Sequence, residues 1–203
     1  MFFRQIKYKG DNFSYVIGDE VTKESAIVDP SFNFDAITNL LQEHNLKLVY
    51  VINTHYHSDH AGDNDSFKTI FGAKIIAHKI SPIKKDIGVE DNDLITVGKI
   101  SIKVIHTPGH TPDSICLLVD TKLLTGDTLF IGECGRTDMP GGSSENMYFS
   151  LFEKLMKLED SIEVYPGHDY GRTQSSTIGI ERITNYVLKK RSLEEFIEFM
   201  GQP

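Results

Sequence analysis

Three histidines and one aspartate fall within six positions of this chain, in the run Asn53-Thr54-His55-Tyr56-His57-Ser58-Asp59-His60. No other feature limits the fold so strongly. The cluster follows at once on Leu46–Ile52, a near-continuous apolar run of the kind expected for a strand covered on both faces. It therefore sits at the carboxyl end of a strand, where α/β-type sites form. In extended chain, positions i and i+2 point the same way, so His55 and His57 are expected to share one ion. A helix beginning near Asp59 would turn Asp59 and His60 towards a second ion. Imidazole and carboxylate donors suit zinc, iron or manganese.

Three further strand-end segments offer donors of the same kind. His106-Thr107-Pro108-Gly109-His110 follows the β-rich run Ile100–Ile105, Thr125-Gly126-Asp127 closes Lys122–Thr125, and Pro166-Gly167-His168-Asp169 follows Glu163–Tyr165. Each is weak alone. Together with the first cluster they give seven metal-ligand candidates: His55, His57, Asp59, His60, His110, Asp127 and His168.

The remaining pattern alternates short strands with helices. Strand-like runs cover Phe13–Gly18, Ser25–Asp29, Lys74–Ala77, Leu94–Val97 and Ile115–Val119. Helical spacing appears in Phe34–Glu43, Ala61–Phe71, Met147–Leu158, Ile180–Leu188 and Leu193–Met200. Strands interrupted by helices, with polar clusters at the strand ends, predict an α/β fold of two sheets with helices outside. At 203 residues the chain suits one sizeable core, so residues 1–203 are expected to form a single domain without a separate C-terminal substrate domain.

Composition narrows the function. The formal net charge of −8 argues against a nucleic-acid partner, because phosphate binding needs a basic footprint. No apolar run is long enough to span a bilayer, and Met1-Phe2-Phe3-Arg4-Gln5 is charged too early for a secretory leader. Two cysteines cannot make a disulfide framework, so a cytoplasmic setting is expected. Cys116, inside Ile115–Val119, reads as a buried small hydrophobe, and Cys134 is a weak nucleophile candidate. His44 reads as a helix-end surface residue, His78 as a strand cap, and His106 as at most a supporting group.

The order H-x-H-x-D-H, then His, Asp and His, resembles the metallo-β-lactamase superfamily from about Phe13 to about Leu188. The resemblance implies a four-layer αββα sandwich with the site at strand ends along one edge. It implies one metal position at His55, His57 and His110, a second at Asp59, His60 and His168, and Asp127 bridging them. Thr125–Phe130 followed by Cys134-Gly135-Arg136-Thr137-Asp138 resembles glyoxalase II-like hydrolases and persulfide dioxygenases. Gly141-Gly142-Ser143 and Ser176–Gly179 with Glu181-Arg182 look closer to the short hydrolases.

The first expectation is thus a dinuclear thioester hydrolase, with two divalent ions (zinc favoured over iron or manganese). A metal-bound hydroxide, oriented by Asp59, would attack a small-molecule thioester. The alternative is a persulfide dioxygenase with one Fe(II) on His55, His110 and Asp127. A non-catalytic metal-binding protein is a third reading. By the same resemblance, Arg136 and Tyr170 would contact the thiol carrier. The expected partner is a small-molecule thioester or thiol-derived substrate, with neither nucleic acid nor membrane, on a monomer or homodimer.

Overall fold

The computed structural model describes residues 1–8 and 10–201. The first half runs β1 (Phe2–Lys7), β2 (Phe13–Gly18), β3 (Glu24–Val28), α1 (Phe34–Glu43), β4 (Lys47–Ile52), α2 (Ser58–Ala61), α3 (Asn64–Phe71), β5 (Lys74–His78) and β6 (Ile87–Val89). The second half runs β7 (Leu94–Val97), β8 (Ile100–His106), β9 (Ile115–Val119), β10 (Lys122–Gly126), β11 (Leu129–Phe130), β12 (Glu133–Cys134), α4 (Ser144–Tyr148), β13 (Glu163–Pro166), β14 (Ser176–Thr177), α5 (Ile178–Thr184) and α6 (Leu193–Met200).

Two six-stranded sheets result, in the orders β1-β2-β3-β4-β5-β6 and β14-β13-β10-β9-β8-β7, with β11 and β12 as a separate small ribbon. Side chains alternate across each strand, so one strand feeds two layers. Phe13, Tyr15 and Ile17 of β2 join Val28 and Ile52 in a core that also receives Ile102, Val104, Ile115 and Leu117 from the second sheet. That core lies between the sheets. Val16, Ile27 and Val51 point the other way and pack on Ile37 and Leu41 of α1 and Phe67 of α3. Ile105, Cys116 and Leu123 likewise face outward, against Met147, Ile178 and Phe196 of α4, α5 and α6. The chain is an αββα sandwich, as its sequence predicts. Burying each large aliphatic side chain contributes roughly 1.5–3 kcal/mol, and most of these are fully buried.

Helix boundaries differ from the sequence pattern in three places. The expected Ala61–Phe71 helix is broken at Gly62-Asp63 into α2 and α3. The expected Met147–Leu158 helix begins as α4, widens to a π-helix over Phe149–Lys154 and tightens to 3-10 over Leu155–Lys157. The π turn lets Ser150 Oγ donate to the Pro108 carbonyl at 2.6 Å, tying this segment to the turn that carries His110. The expected Ile180–Leu188 helix stops at Thr184, and Tyr186–Leu188 is a 3-10 turn. Among the described residues, no helix is long and apolar enough to cross a membrane.

Candidate metal centre

Four strand ends deliver the seven predicted donors to one edge of the sandwich. β4 runs into His55 and His57, and α2 starts at Ser58, carrying Asp59 and His60. β8 leads through a tight turn to His110. Gly109 in that turn has φ +151°, and a Cβ there would lie 2.6 Å from Met147 Cα, so only glycine fits. β10 ends at Asp127 and its parallel neighbour β13 at His168. The donors fall into three compact groups: His55, His57 and His110; His55, His60 and Asp127; and Asp59, His60 and His168.

In the first group, His57 Nδ1 lies 3.0 Å from both His55 Nε2 and His110 Nε2. In the third, His60 Nε2 lies 3.2 Å from His168 Nε2, and Asp59 Oδ2 lies 3.5 Å from each of those nitrogens. Asp127 stands between the groups. Its Oδ2 is 3.6 Å from His110 Nε2 and 3.3 Å from His168 Nε2, and its Oδ1 is 3.4 Å from His60 Nε2.

Hydrogen bonds behind the rings decide which nitrogens face inward. His110 Nδ1 donates to the Arg136 carbonyl at 2.8 Å, and a carbonyl can only accept, so His110 Nε2 presents a lone pair. His60 Nδ1 donates to Asp29 Oδ2 at 3.1 Å, and His168 Nδ1 faces Asp11 Oδ1 at 3.4 Å. Their Nε2 lone pairs then confront each other. Asp127 Oδ1 is buried without any hydrogen-bond partner. Lone pairs and a carboxylate converging at about 3 Å in a buried site repel unless a cation lies among them. The donor set therefore fits metal ions.

Titration behaviour without an ion agrees. Burial disfavours a charged His60, yet the Asp127, Asp29 and Asp59 carboxylates outweigh it and raise its pKa to about 9. Burial opposes ionisation of Asp127 as well, but His60, His168 and His55 hold it far below the usual carboxylate range. Burial pushes His55 down, reinforced by the neighbouring His60.

Three contributors escape a motif-based reading. Asp29 ends β3 with φ +51°, a costly conformation for a residue other than glycine, and is 2% exposed. It accepts from Thr54 N (2.8 Å) and Thr54 Oγ1 (2.6 Å) as well as from His60. Asn12 Nδ2 donates to Asp59 O (3.1 Å) and Asp59 Oδ2 (3.2 Å), and Asp11 backs His168. The sequence signal for Asp29 was the one that marked Asp127, an aspartate directly after an apolar strand.

The two predicted substrate contacts occupy different places. Tyr170 stacks on His168 with centroids 4.8 Å apart and planes 4° from parallel, while Phe130 meets both rings edge-on. Arg136 contributes its backbone carbonyl to His110, but its exposed guanidinium is held by Asp138 through two 2.6 Å bonds. Cys134 is buried and its thiol is pushed up to about 12 by burial, which makes it a poor nucleophile. His78 and His106 stack on each other, centroids 4.0 Å apart, and belong to none of the three donor groups.

The family profile described as "Metallo-beta-lactamase superfamily" matches residues 8–168. The chain is 34% identical over 195 residues to "Persulfide dioxygenase ETHE1, mitochondrial" of Homo sapiens, spanning 93% of this chain and 76% of that protein. It is 35% identical over 187 residues to "Probable hydroxyacylglutathione hydrolase glo2" of Schizosaccharomyces pombe, spanning 85% and 70%. Among solved structures, that of ETHE1 from Myxococcus xanthus superposes with a TM-score of 0.95 at 33% identity, covering 100% of this chain and 92% of the other. With its sandwich, its strand-end donors and these matches, the chain belongs to the metallo-β-lactamase superfamily.

Proposed function

We propose that this protein is a metal-dependent oxidoreductase of the persulfide dioxygenase type, acting on the persulfide of a small thiol. The observation that carries this reading is the match, over 93% of this chain and 76% of the relative, to a protein named persulfide dioxygenase ETHE1, together with the superposition on ETHE1 from Myxococcus xanthus. Two donor groups that share His55 support it: one adds His57 and His110, the other His60 and Asp127, and His110 Nε2 lies 3.6 Å from Asp127 Oδ2. His55, His110 and Asp127 would hold one ferrous iron, which when bound supplies oxygen activation and a seat for the persulfide sulfur. In balance, R–S–SH, dioxygen and water give R–SH, sulfite and two protons.

The chain's own residues prepare the rest. The Thr54 and Arg136 contacts fix the rings of His55 and His110, so their Nε2 atoms meet the reacting centre without searching. Buried Asp127 brings a full negative charge to the same point. Asp59, partly exposed and held by the Asn12 amide, is the carboxylate placed to accept a proton at Oδ2 and release it to solvent. Tyr170 and Phe130 wall one side of the site with aromatic surface.

The second reading is a dinuclear thioester hydrolase. One observation favours it: Asp59, His60 and His168 form a complete donor group of their own, which a single iron would leave unused. Protein purified without oxygen or chelators discriminates by its metal content. About one iron per chain is the expected result. About two ions per chain, whether zinc, iron or manganese, would overturn the dioxygenase reading in favour of the hydrolase.

A further inference from the structure

His110 and Asp127 hang on strands that are not neighbours. β9 lies between β8, which leads to His110, and β10, which leads to Asp127. β8 pairs with β9 as far as His106↔Ile115, but β10 pairs with β9 only from Lys122↔Val119 to Leu124↔Leu117. Thr125, Gly126 and Asp127 run on past that ladder. Backbone pairing with β9 therefore does not fix how far Asp127 stands from His110, whose Nε2 lies 3.6 Å from Asp127 Oδ2.

A buried chain of hydroxyl and thiol groups crosses this gap. Thr107 is the first residue beyond β8 and Thr128 the first beyond Asp127, and they are 0% and 1% exposed. Their Oγ1 atoms are 2.9 Å apart, and Thr128 Oγ1 is 3.4 Å from the Thr107 carbonyl as well. Thr107 Oγ1 also lies 3.3 Å from Cys116 Sγ on β9, and Cys116 Sγ donates to the Thr125 carbonyl at 3.6 Å. Burial pushes the Cys116 thiol up to about 11, so it keeps its proton at neutral pH. With that proton directed at Thr125, the sulfur is left to accept from Thr107, and Thr107 Oγ1 is left to accept from Thr128. The donors and acceptors then match in one direction, from Thr128 through Thr107 and Cys116 to Thr125. A broken link leaves a buried hydroxyl unpaired, so the chain resists being stretched.

We propose that Thr107 and Thr128 are positioning residues for the metal: their hydroxyl pair, anchored through Cys116, sets the spacing of His110 and Asp127 and so the fit of the ion that those two ligands share. The proposal rests on His110 and Asp127 sharing one ion, which the dioxygenase and hydrolase readings both require. Neither threonine belongs to a donor group. Each acts through the ligand near it: Thr128 adjoins Asp127, and Thr107 starts the turn that presents His110.

The test is anaerobic titration of metal-free protein with cobalt(II) against a chromophoric chelator. It is read together with the visible absorption of the bound ion, which reports the arrangement of its ligands and needs no turnover. Thr128→Val keeps the branched shape and removes the hydroxyl. Its cobalt affinity is expected to fall about tenfold, with an altered visible spectrum. Thr107→Val cuts the same chain from the other side and should give a similar loss, which keeps the test open where Thr128→Val folds poorly. Thr128→Ser keeps the hydroxyl and should restore both affinity and spectrum. Wild-type affinity and spectrum in the valine variants, even with lowered melting temperatures, would overturn the proposal and leave the chain a core contact only. Failure of Thr128→Ser to recover the spectrum would overturn it too, because the loss would then follow from shape and not from the hydroxyl. Absence of oxygen uptake by wild type, by contrast, would sink the dioxygenase reading and leave the cobalt results as expected here.

Discussion

Asp29 Oδ2 lies 3.1 Å from His60 Nδ1, and the same oxygen accepts from Thr54 Oγ1 at 2.6 Å. One buried carboxylate thus fixes the rings on both halves of the centre: His60 directly, and His55 through Thr54 Oγ1, which is 3.1 Å from His55 Nδ1. Asp29→Asn keeps the shape but presents an amide donor to His60 Nδ1. The His60 proton must then move to Nε2, pointing into the donor cluster. Metal affinity is expected to fall about 10–100-fold. Competition titration with a chromophoric chelator reads this, and an unchanged affinity would show that Asp29 does not set the tautomer.

Gly167 touches the centre by having no side chain. A Cβ there would lie 2.3 Å from Asp127 Oδ1 and 2.9 Å from His60 Cε1. Gly167→Ala is expected to displace the Asp127 carboxylate, strip most of the metal and cost about 2 kcal/mol or more in stability. Metal analysis together with thermal melting checks both effects. Full metal loading in this variant would contradict the close approach.

His78 gives a pH prediction free of the metal ligands. Burial, helped by the stacked His106 ring, lowers its pKa to about 4. A histidine depressed in the folded state binds its proton first in the unfolded chain. Its contribution is then present above the ordinary value of about 6.5 and is lost progressively as pH falls from there towards about 4. His78→Gln should flatten that part of the Tm-against-pH curve relative to wild type. Parallel curves for the two proteins would remove His78 from the acid limb.

The sequence was most legible where chemistry and chain geometry coincide. The seven donors fall in four segments, each of which follows an apolar run, so the strand ends read as a shared edge from sequence. The near-continuous apolar run of β4 likewise signals burial on both of its faces. What escaped was tertiary in origin. Asn12 reaches Asp59 only because the β1–β2 turn folds against α2, and no spacing rule relates positions 47 residues apart. β6, β11, β12 and β14 are two or three residues long, too short for a period to show. The π turn at Phe149–Lys154 keeps an amphipathic pattern that an α-helix would share. Arg136 stands in a motif, but its guanidinium turns to Asp138, two residues away.

Removing the third donor group separates the two chemistries. Asp59→Ala or His168→Ala should leave about one equivalent of iron bound if one ion sits on His55, His110 and Asp127. A dinuclear enzyme should drop from about two ions per chain to about one and lose at least about a hundredfold in kcat. Elemental analysis of each variant gives the answer directly.

Asp127→Ala is expected to abolish metal binding under either chemistry, because Asp127 is the carboxylate within 3.6 Å of donors in both halves. Retained metal with full turnover in this variant would dismiss both readings.

The most direct test is oxygen uptake by the anaerobically purified, iron-loaded protein on addition of glutathione persulfide, followed with an oxygen electrode. The account predicts rapid consumption of about one dioxygen per persulfide, with sulfite as product and no uptake by Asp127→Ala. Absence of oxygen uptake from fully iron-loaded protein, alongside brisk hydrolysis of a glutathione thioester, would contradict it.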